Sequence, residues 1–373
     1  MPIYMDRHDL PGVTARDVAE AHQADLKVQD KFGCRGLTYW FDETRGIAFC
    51  LVEAPDKEAV KEMHDHAHGL IPHQILEVDN SLVEAFLGRI EDPENLTGSE
   101  DPHLSQQDRT AIRTILYTDL KRSPFALSDH GEINDSGHYK MFNKIVRTQV
   151  KNHEGREVEH GGSGFLISFS SASNGMRCAH GMLEEFKLKD NGSSTKGFQI
   201  CAGLSAGMPV TEDYDFFEQA VLSARRLCFL AESGKILVAP EVLDLLNRED
   251  ISFFKDSSHI KMLNPKDEKF IHQLLDILED HWNNSNFNVL EFCKKIGLSK
   301  SQLNRKISAL SGFSPNEFIK EFRLNKAAAL IEKGAGNIAE IAYEAGFTSP
   351  SYFSKCFHKR FGFTPSNLIT PHD

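Results

Sequence analysis

The sequence predicts a multidomain chain in which two α+β domains are followed by an all-α domain built from two helix-turn-helix units. Three observations predict it. Between Asn286 and Pro371 one pattern is written twice, because Leu303, Ile307, Gly312 and Pro315 recur 50 residues on as Phe353, Phe357, Gly362 and Pro365. A fixed period of this kind marks structural units whose apolar faces are filled alike. The first 80 residues read as strand, helix, strand, strand, helix, strand. A third stretch, residues 109–248, again alternates apolar strands with helices, the pattern of a layered α/β or α+β domain. The expected divisions are 1–90, a linker at 91–108, 109–248, a second linker at 249–266, and 267–373. A chain of 373 residues has room for this many domains.

Hydrophobic residues make up 40% of the chain, the level of a globular protein. The N-terminus lacks a basic, apolar signal stretch and no run is apolar enough to span a bilayer, so a cytoplasmic protein with no membrane partner is expected. Seven Cys, at 34, 50, 178, 201, 228, 293 and 356, are scattered with no Cys-x-x-Cys pair, which argues against a disulfide framework or a zinc knuckle. The net charge is −12, yet Asn286 to Pro371 holds twelve Lys and Arg against six Glu, a net +6 that leaves −18 on the rest. A basic module on an acidic body suits a DNA reader whose other domains avoid non-specific contact with DNA.

In chain order, PIYMDRH is a strand, and Thr14 with Asp17 three residues on supplies an N-cap and its reciprocal partner for a helix to about Lys31. GLTYWF and GIAFCLVEA are strands joined by Asp42-Glu43-Thr44-Arg45-Gly46, a link of hairpin length. A helix from about Asp56 to His68 and a strand HQILEV complete a ferredoxin-like order, a small sheet with two helices on one face. Six of the 17 His fall here, at 8, 22, 64, 66, 68 and 73. His64 and His68 share a helical face and suit one ion together with a ligand from a neighbouring element, whereas His66 points elsewhere. The plainer alternative is a solvent-facing pair. Imidazole suits nickel, zinc or copper, and the lack of paired Cys argues against a thiolate site. Because imidazole binds metal as the neutral base, affinity is expected to fall as the pH drops through about 6.5.

Together MDRHDLPGVTARDVAEAHQADLKVQDKFG, YWFDETRGIAFCLVEAP and VKEMHDHAHGLIP resemble a family of small nickel-binding ferredoxin-like proteins. The resemblance implies a metal set of His8, His22, His64 and His68. Spacing does not choose nickel over zinc.

Residues 91–108 are acidic and hold two Pro and no aromatic residue, as a solvated linker does. After it RTAIRTILYTDL reads as a strand, Tyr139 to about Val150 as a helix, and EVEHGGSGFLISFSS as a hairpin. A helix from about Ala172 to Phe186, the strand FQICAGLSAGMPV, a helix through FFEQAVLSARRLCFLAES and the strand KILVAP follow. The pieces YTDLKRS, GGSGFLISF, GLSAGMPV and AVLSARRLCFLAESGKILV resemble a class III adenylyl or guanylyl cyclase domain from about Ile112 to Val242. That resemblance implies two carboxylates holding two metal ions, with a late Asn and Arg holding the transition state. Asp119 matches the first carboxylate and Arg226 the Arg, but Ser163 stands where the second carboxylate belongs and Leu222 replaces the Asn. A serine cannot supply a carboxylate's charge. The expectation is a degenerate, cyclase-like domain that pairs protomers into a homodimer and is not an enzyme. The alternative is a nucleotide cyclase with attached regulatory domains.

After the polar stretch 249–266, Asp267 to Trp282 is an amphipathic helix with Phe270, Leu274, Leu278 and Trp282 at intervals of four. Gly297 opens the first turn, and Ser299 with Gln302 gives the second helix of the pair a capping box. With Leu303 and Ile307 inward, Ser301, Asn304 and Arg305 face out, and the 50-residue offset puts Ser351, Ser354 and Lys355 there in the second unit. These side chains suit base edges and phosphates. Ser314-Pro315-Asn316-Glu317 starts the helix between the units, which carries Phe318, Phe322 and Leu330 to about Gly334.

LSKSQLNRKISALSGFSPNEFIKEFRLNKAAALIEKG followed by NIAEIAYEAGFTSPSYFSKCFHKRFGFTPSNLI resembles the DNA-binding domain of the AraC/XylS family of transcription regulators. The resemblance implies two recognition helices in successive major-groove segments of promoter or operator DNA, with the long intervening helix fixing their separation. The whole reads as a transcription regulator: a metal-sensing unit, a pairing unit and a reader.

Overall fold

Strands with buried side chains on both faces build the first sheet. β1 (Ile3–Asp9), β2 (Arg35–Asp42), β3 (Ile47–Glu53) and β4 (Gln74–Val78) lie in the order β2-β3-β1-β4, each neighbour antiparallel. Tyr4, Phe41, Ala48, Cys50 and Val52 point to one face, where α1 (Ala15–Val28) brings Val18 and α2 (Lys57–Ala67) brings Val60 and Met63. The Thr14–Asp17 capping box starts α1. Met5, Trp40, Phe49 and Leu51 point to the other face, which α3 (Asn80–Leu87) covers with Val83, Phe86 and Leu87. The computed structural model describes residues 1–92, 110–122, 135–161, 164–190 and 198–369. Residues 93–109, most of the first expected linker, lie outside the described residues.

The middle domain contains β5 (Arg113–Arg122), α4 (Asp135–Asn152), β6 (Arg156–Gly161), β7 (Gly164–Phe169), α5 (Ala172–Asp190), β8 (Phe198–Gly207), α6 (Glu218–Leu230) and β9 (Ile236–Val238). α7 (Pro240–Leu243), α8 (Arg248–Lys255) and β10 (Ile260–Met262) follow. The strand order is β10-β9-β8-β5-β7-β6, antiparallel from β8 to β6 and parallel from β8 to β10. Phe142, Ile145 and Val146 of α4, with Met176, Ala179 and Met182 of α5, pack on one face over Leu116, Ile167 and Ile200. α6 lies on the other. Its close approach requires a glycine beneath it, because a Cβ at Gly203 would stand 2.2 Å from the Ala224 carbonyl oxygen and 2.4 Å from the Cys228 amide nitrogen. The buried Lys121 ammonium donates to the carbonyls of Cys228, Phe229 and Ala231 at 2.8, 2.6 and 3.1 Å, satisfying the C-terminal end of that helix.

The expected linker at 249–266 is corrected here. It holds most of α8 and all of β10, whose Ile260 pairs with Ile236 as the edge of the sheet, and Phe254 is fully buried. Polar residues dominate the stretch because only one side of each short element is covered.

The C-terminal domain is all helical: α9 (Pro265–His281), α10 (Val289–Ile296), α11 (Lys300–Ser311), α12 (Pro315–Glu332), α13 (Ile338–Glu344), α14 (Pro350–Phe361) and α15 (Pro365–Ile369). Ser299 and Ser314 form capping boxes with Gln302 and Glu317, and Ser349 caps α14. Phe292, Leu303, Ile307, Phe318 and Phe322 close the first unit over Phe270, Leu274 and Leu278 of α9. Ile341, Phe353 and Phe357 close the second over Leu324, Ala327 and Ile331 of α12.

The domains share cores. Ala220 and Ala224 of α6, with Ile115 and Leu166, complete the face of the first sheet that α3 covers. Leu227, Cys228 and Leu230 of the same helix join the core of the first helix-turn-helix unit, and the Phe229 ring sits 5.6 Å from those of Phe318 and Phe322. One helix is therefore packed into both neighbours.

Candidate nucleic-acid interface and candidate metal centre

Burial separates the two sides of each second helix. On α11 Leu303 and Ile307 are buried and Ser301, Asn304 and Arg305 exposed; on α14 Phe353 and Phe357 are buried, Ser351 and Lys355 exposed and Ser354 half-buried. The outer surface also carries residues that sequence reasoning passed over. Lys300, Tyr352, His358 and Lys359 are exposed, and Tyr352 stands at the 50-residue equivalent of Gln302, so the repeat held the signal for it. Lys306 is exposed, with its ammonium 4.2 Å from the Phe270 ring. The two units are tied across α12: the Arg360 guanidinium of α14 donates to the Glu321 carboxylate, and both side chains are nearly buried. Burial would lower the Arg360 pKa, but Glu321 beside it holds it up.

The N-terminal site starts at β1. Alternation puts Asp6 and His8 on the face that α1 and α2 cover, and the antiparallel register sets Asp6 against Cys50 of β3. From α1 comes Asp25; from the end of α2 come His64 and His68. Asp6 bridges two rings, with His8 Nε2 3.1 Å from Oδ1 and His64 Nε2 2.9 Å from Oδ2. Asp25 bridges two as well, since His64 Nδ1 and His68 Nε2 each lie 3.1 Å from its Oδ1. Asp6, His8, Asp25 and His64 are all buried, and the His68 side chain is 13% exposed.

The carboxylates and the His64 ring of this cluster shift one another. Burial opposes the charged His64 ring, but Asp6 and Asp25 outweigh it and hold its pKa up at about 10. Burial would likewise raise the carboxyls, and the facing rings instead hold Asp6 and Asp25 below the ordinary range. Burial, with Asp6 and Asp25 nearby, pushes the Cys50 thiol well up.

The donors fit a metal ion. One donor atom each from Asp6, His8, Cys50 and His64 lie within 4.8 Å of one another, and so do those of Asp25, His64 and His68. Metal–ligand bonds of about 2.0–2.3 Å place donors roughly 3–4.6 Å apart, so closing on an ion needs only small shifts. Of the four expected histidines, His8, His64 and His68 meet here. His22 does not. Its Nε2 lies 2.8 Å from Asp92 Oδ2 and its ring packs on Tyr39 at 4.8 Å, so it is buried in a polar pair of its own. His66 is exposed beside Phe32. Sequence reasoning missed Asp6, Asp25 and Cys50.

In the middle domain Asp119 lies on β5, its Oδ1 accepting from the Leu120 amide at 2.7 Å and its carbonyl from the Cys201 thiol at 3.4 Å. Arg226 reaches α9, donating to His272 Nδ1 at 2.9 Å and pairing with Asp276. Ser163 lies outside the described residues.

Comparison with known proteins matches both ends of the chain. Residues 4–78 match the family described as nickel responsive protein SCO4226-like, and residues 292–370 match a helix-turn-helix domain family. The chain is 44% identical to histidine kinase P4 of Formosa agariphila over 117 residues, which are 30% of this chain and 8% of the kinase. It is 28% identical to the HTH-type transcriptional activator RhaS of Salmonella arizonae over 194 residues, covering 48% of this chain and 67% of the activator. Among solved structures, SCO4226 from Streptomyces coelicolor A3(2) is 36% identical over 20% of this chain and 94% of its own, with a TM-score of 0.20. An adenylate/guanylate cyclase/hydrolase from Silicibacter pomeroyi is 26% identical over 36% of this chain and 78% of its own, with a TM-score of 0.30. Among the described residues no helix is long and apolar enough to cross a membrane.

Proposed function

We propose that this chain, with an AraC-type helix-turn-helix domain at its C-terminal end and a domain of the nickel responsive SCO4226-like family at its N-terminal end, is a metal-responsive transcription regulator. The observation that carries DNA reading is the pair α11 and α14, each with a buried apolar side and an outer side of short polar and basic residues. Ser301, Asn304, Arg305, Ser351, Ser354 and Lys355 read double-stranded promoter DNA in this proposal, with Tyr352 beside them. Arg305→Ala and Lys355→Ala are each expected to weaken operator binding. A contact to a base edge costs about 1–3 kcal/mol and depends on sequence, whereas a phosphate contact weakens all DNA alike and reduces the salt slope by about one. Filter or gel-shift titrations on several fragments at two salt concentrations distinguish them, and unchanged binding by both variants would remove these helices as the readers.

The metal reading rests on the buried cluster of His8, His64 and His68 with Asp6 and Asp25, which fits nickel or zinc. When bound, such an ion supplies a divalent charge that replaces protons within the cluster. His22 is set aside from the ligand set because Asp92 engages it. A change in the first domain has a physical route to the reader, since α6 is packed into the cores of both. That route is a packing argument, and coupling itself is measured by operator affinity with and without metal.

The middle domain serves as a pairing unit and scaffold in this reading. Its Arg226, aligned with a catalytic position by resemblance, is engaged by Asp276 and His272 of α9. Light scattering on the full chain is expected to give two chains per particle, with no cyclic nucleotide formed from ATP or GTP. A clean monomer would remove the pairing role. Turnover abolished by Asp119→Ala would restore the enzyme reading.

A further inference from the structure

Resting on the metal reading above, the geometry points to a single thiolate in the site: we propose that Cys50 is a ligand of the ion, completing an inner set with Asp6, His8 and His64, while Asp25 and His68 orient His64 from outside. Two donor sets share His64, and the structure gives reasons to choose between them. The strand register sets Cys50 directly against Asp6, alternation adds His8 to the same face, and α2 brings His64 down onto it. All four residues are buried.

His64 has one nitrogen for each set. Nε2 lies 2.9 Å from Asp6, toward the inner set, and Nδ1 lies 3.1 Å from Asp25. A metal-bound imidazole ordinarily donates its other N–H to a carboxylate that fixes its orientation, and Asp25 stands in that place. His68, 3.1 Å from the same Asp25 oxygen, holds that carboxylate in turn. An ion in the outer set would leave His8 and Cys50 outside the coordination, engaged with Asp6. An inner ion uses both as ligands and keeps Asp25 and His68 as outer partners. The charges of the inner set agree, because a divalent ion with the Asp6 carboxylate and the Cys50 thiolate is neutral, which leaves the buried Asp25 carboxylate to be held by His64 Nδ1 and His68.

Binding involves no change of oxidation state. The Cys50 S–H bond breaks, its proton leaves to solvent together with the one held between His64 and Asp6, and metal–sulfur and metal–nitrogen bonds form. A thiolate also selects against magnesium and manganese, which prefer oxygen, and in favour of nickel, zinc or copper(I).

The test uses the full chain and nickel(II). A near-ultraviolet thiolate-to-nickel charge-transfer band is expected on titration, lost in Cys50→Ser together with about a tenfold or greater fall in nickel affinity. His68→Ala is expected to keep the band while weakening binding about 10- to 100-fold, the effect of losing an outer partner. Cys50→Ala, and X-ray absorption at the nickel edge of the unaltered chain, decide the matter if the serine variant fails to fold. Nickel bound without sulfur, or a band that survives in Cys50→Ser, would overturn the thiolate and leave the metal reading standing. No nickel or zinc bound by the unaltered chain would overturn both.

Discussion

Glu321→Ala is expected to destabilise the C-terminal domain by about 3–5 kcal/mol, the range for stranding one member of a buried ion pair. Glu321 is 5% exposed and accepts from the Arg360 guanidinium and, at 3.3 Å, from the Asn325 side chain. With the carboxylate gone, an always-charged and nearly buried guanidinium loses its direct partner and keeps the Coulombic influence of Asp119 and the Phe361 ring, 4.9 Å away. The position matters as much as the magnitude. Glu321 is on α12 and Arg360 on α14, so the pair ties α14 to α12, the helix that follows α11. Operator binding should therefore fall by more than the lost stability explains when measured well below the melting temperature. Glu321→Gln keeps an acceptor and should cost less. A Gln variant as stable as the unaltered chain in chemical denaturation would show that the charge at this position does nothing, and equal losses for Ala and Gln would show that the retained acceptor does nothing.

What the sequence made legible follows from which signals are local. The capping boxes at Thr14, Ser299 and Ser314 and the inward pairs Leu303–Ile307 and Phe353–Phe357 are set within a few residues, and the structure has them in place. The stretch 249–266 was misread because an eight-residue helix and a three-residue strand give periodicity too little length to register. At the His–Asp cluster of the first domain, the spacing of His64 and His68 at the end of one helix was visible. Asp6, Asp25 and Cys50 were not, because their neighbours are chosen by strand register and by the packing of α1 beside α2 over the sheet. His22 illustrates the converse: a histidine one helical turn from Asp25 is taken up by Asp92, seventy residues away, which no local pattern encodes.

His64→Ala is expected to abolish nickel or zinc binding and to destabilise the metal-free N-terminal domain by about 3–5 kcal/mol, because two buried carboxylates lose the ring that both face. The pH dependence identifies the cause. With a pKa held at about 10 in the folded chain against an unfolded value of about 6.5, the stability that His64 contributes is present in full below about pH 6.5 and is lost as the pH rises toward 10. Asp6 and Asp25 act in the opposite sense: their pKa values are lowered by folding, so their contribution is present above about pH 4 and disappears as acid protonates them. The metal-free domain should be most stable between about pH 4 and 6.5. The same proton governs metal affinity. A metal must displace it from His64, so affinity should go on climbing with pH from about 6.5 toward 10 instead of levelling off near the ordinary histidine value. Hydrogen exchange of β1 and α2 in the full chain, followed from pH 5 to about 10 with and without nickel, reads both effects. Protection that declines above pH 6.5 in the metal-free chain, and is restored by nickel, is the expected result. Parallel pH profiles for the unaltered chain and His64→Ala would mean that the carboxylates are satisfied by other partners and that His64 is neither the charge nor the ligand this cluster turns on.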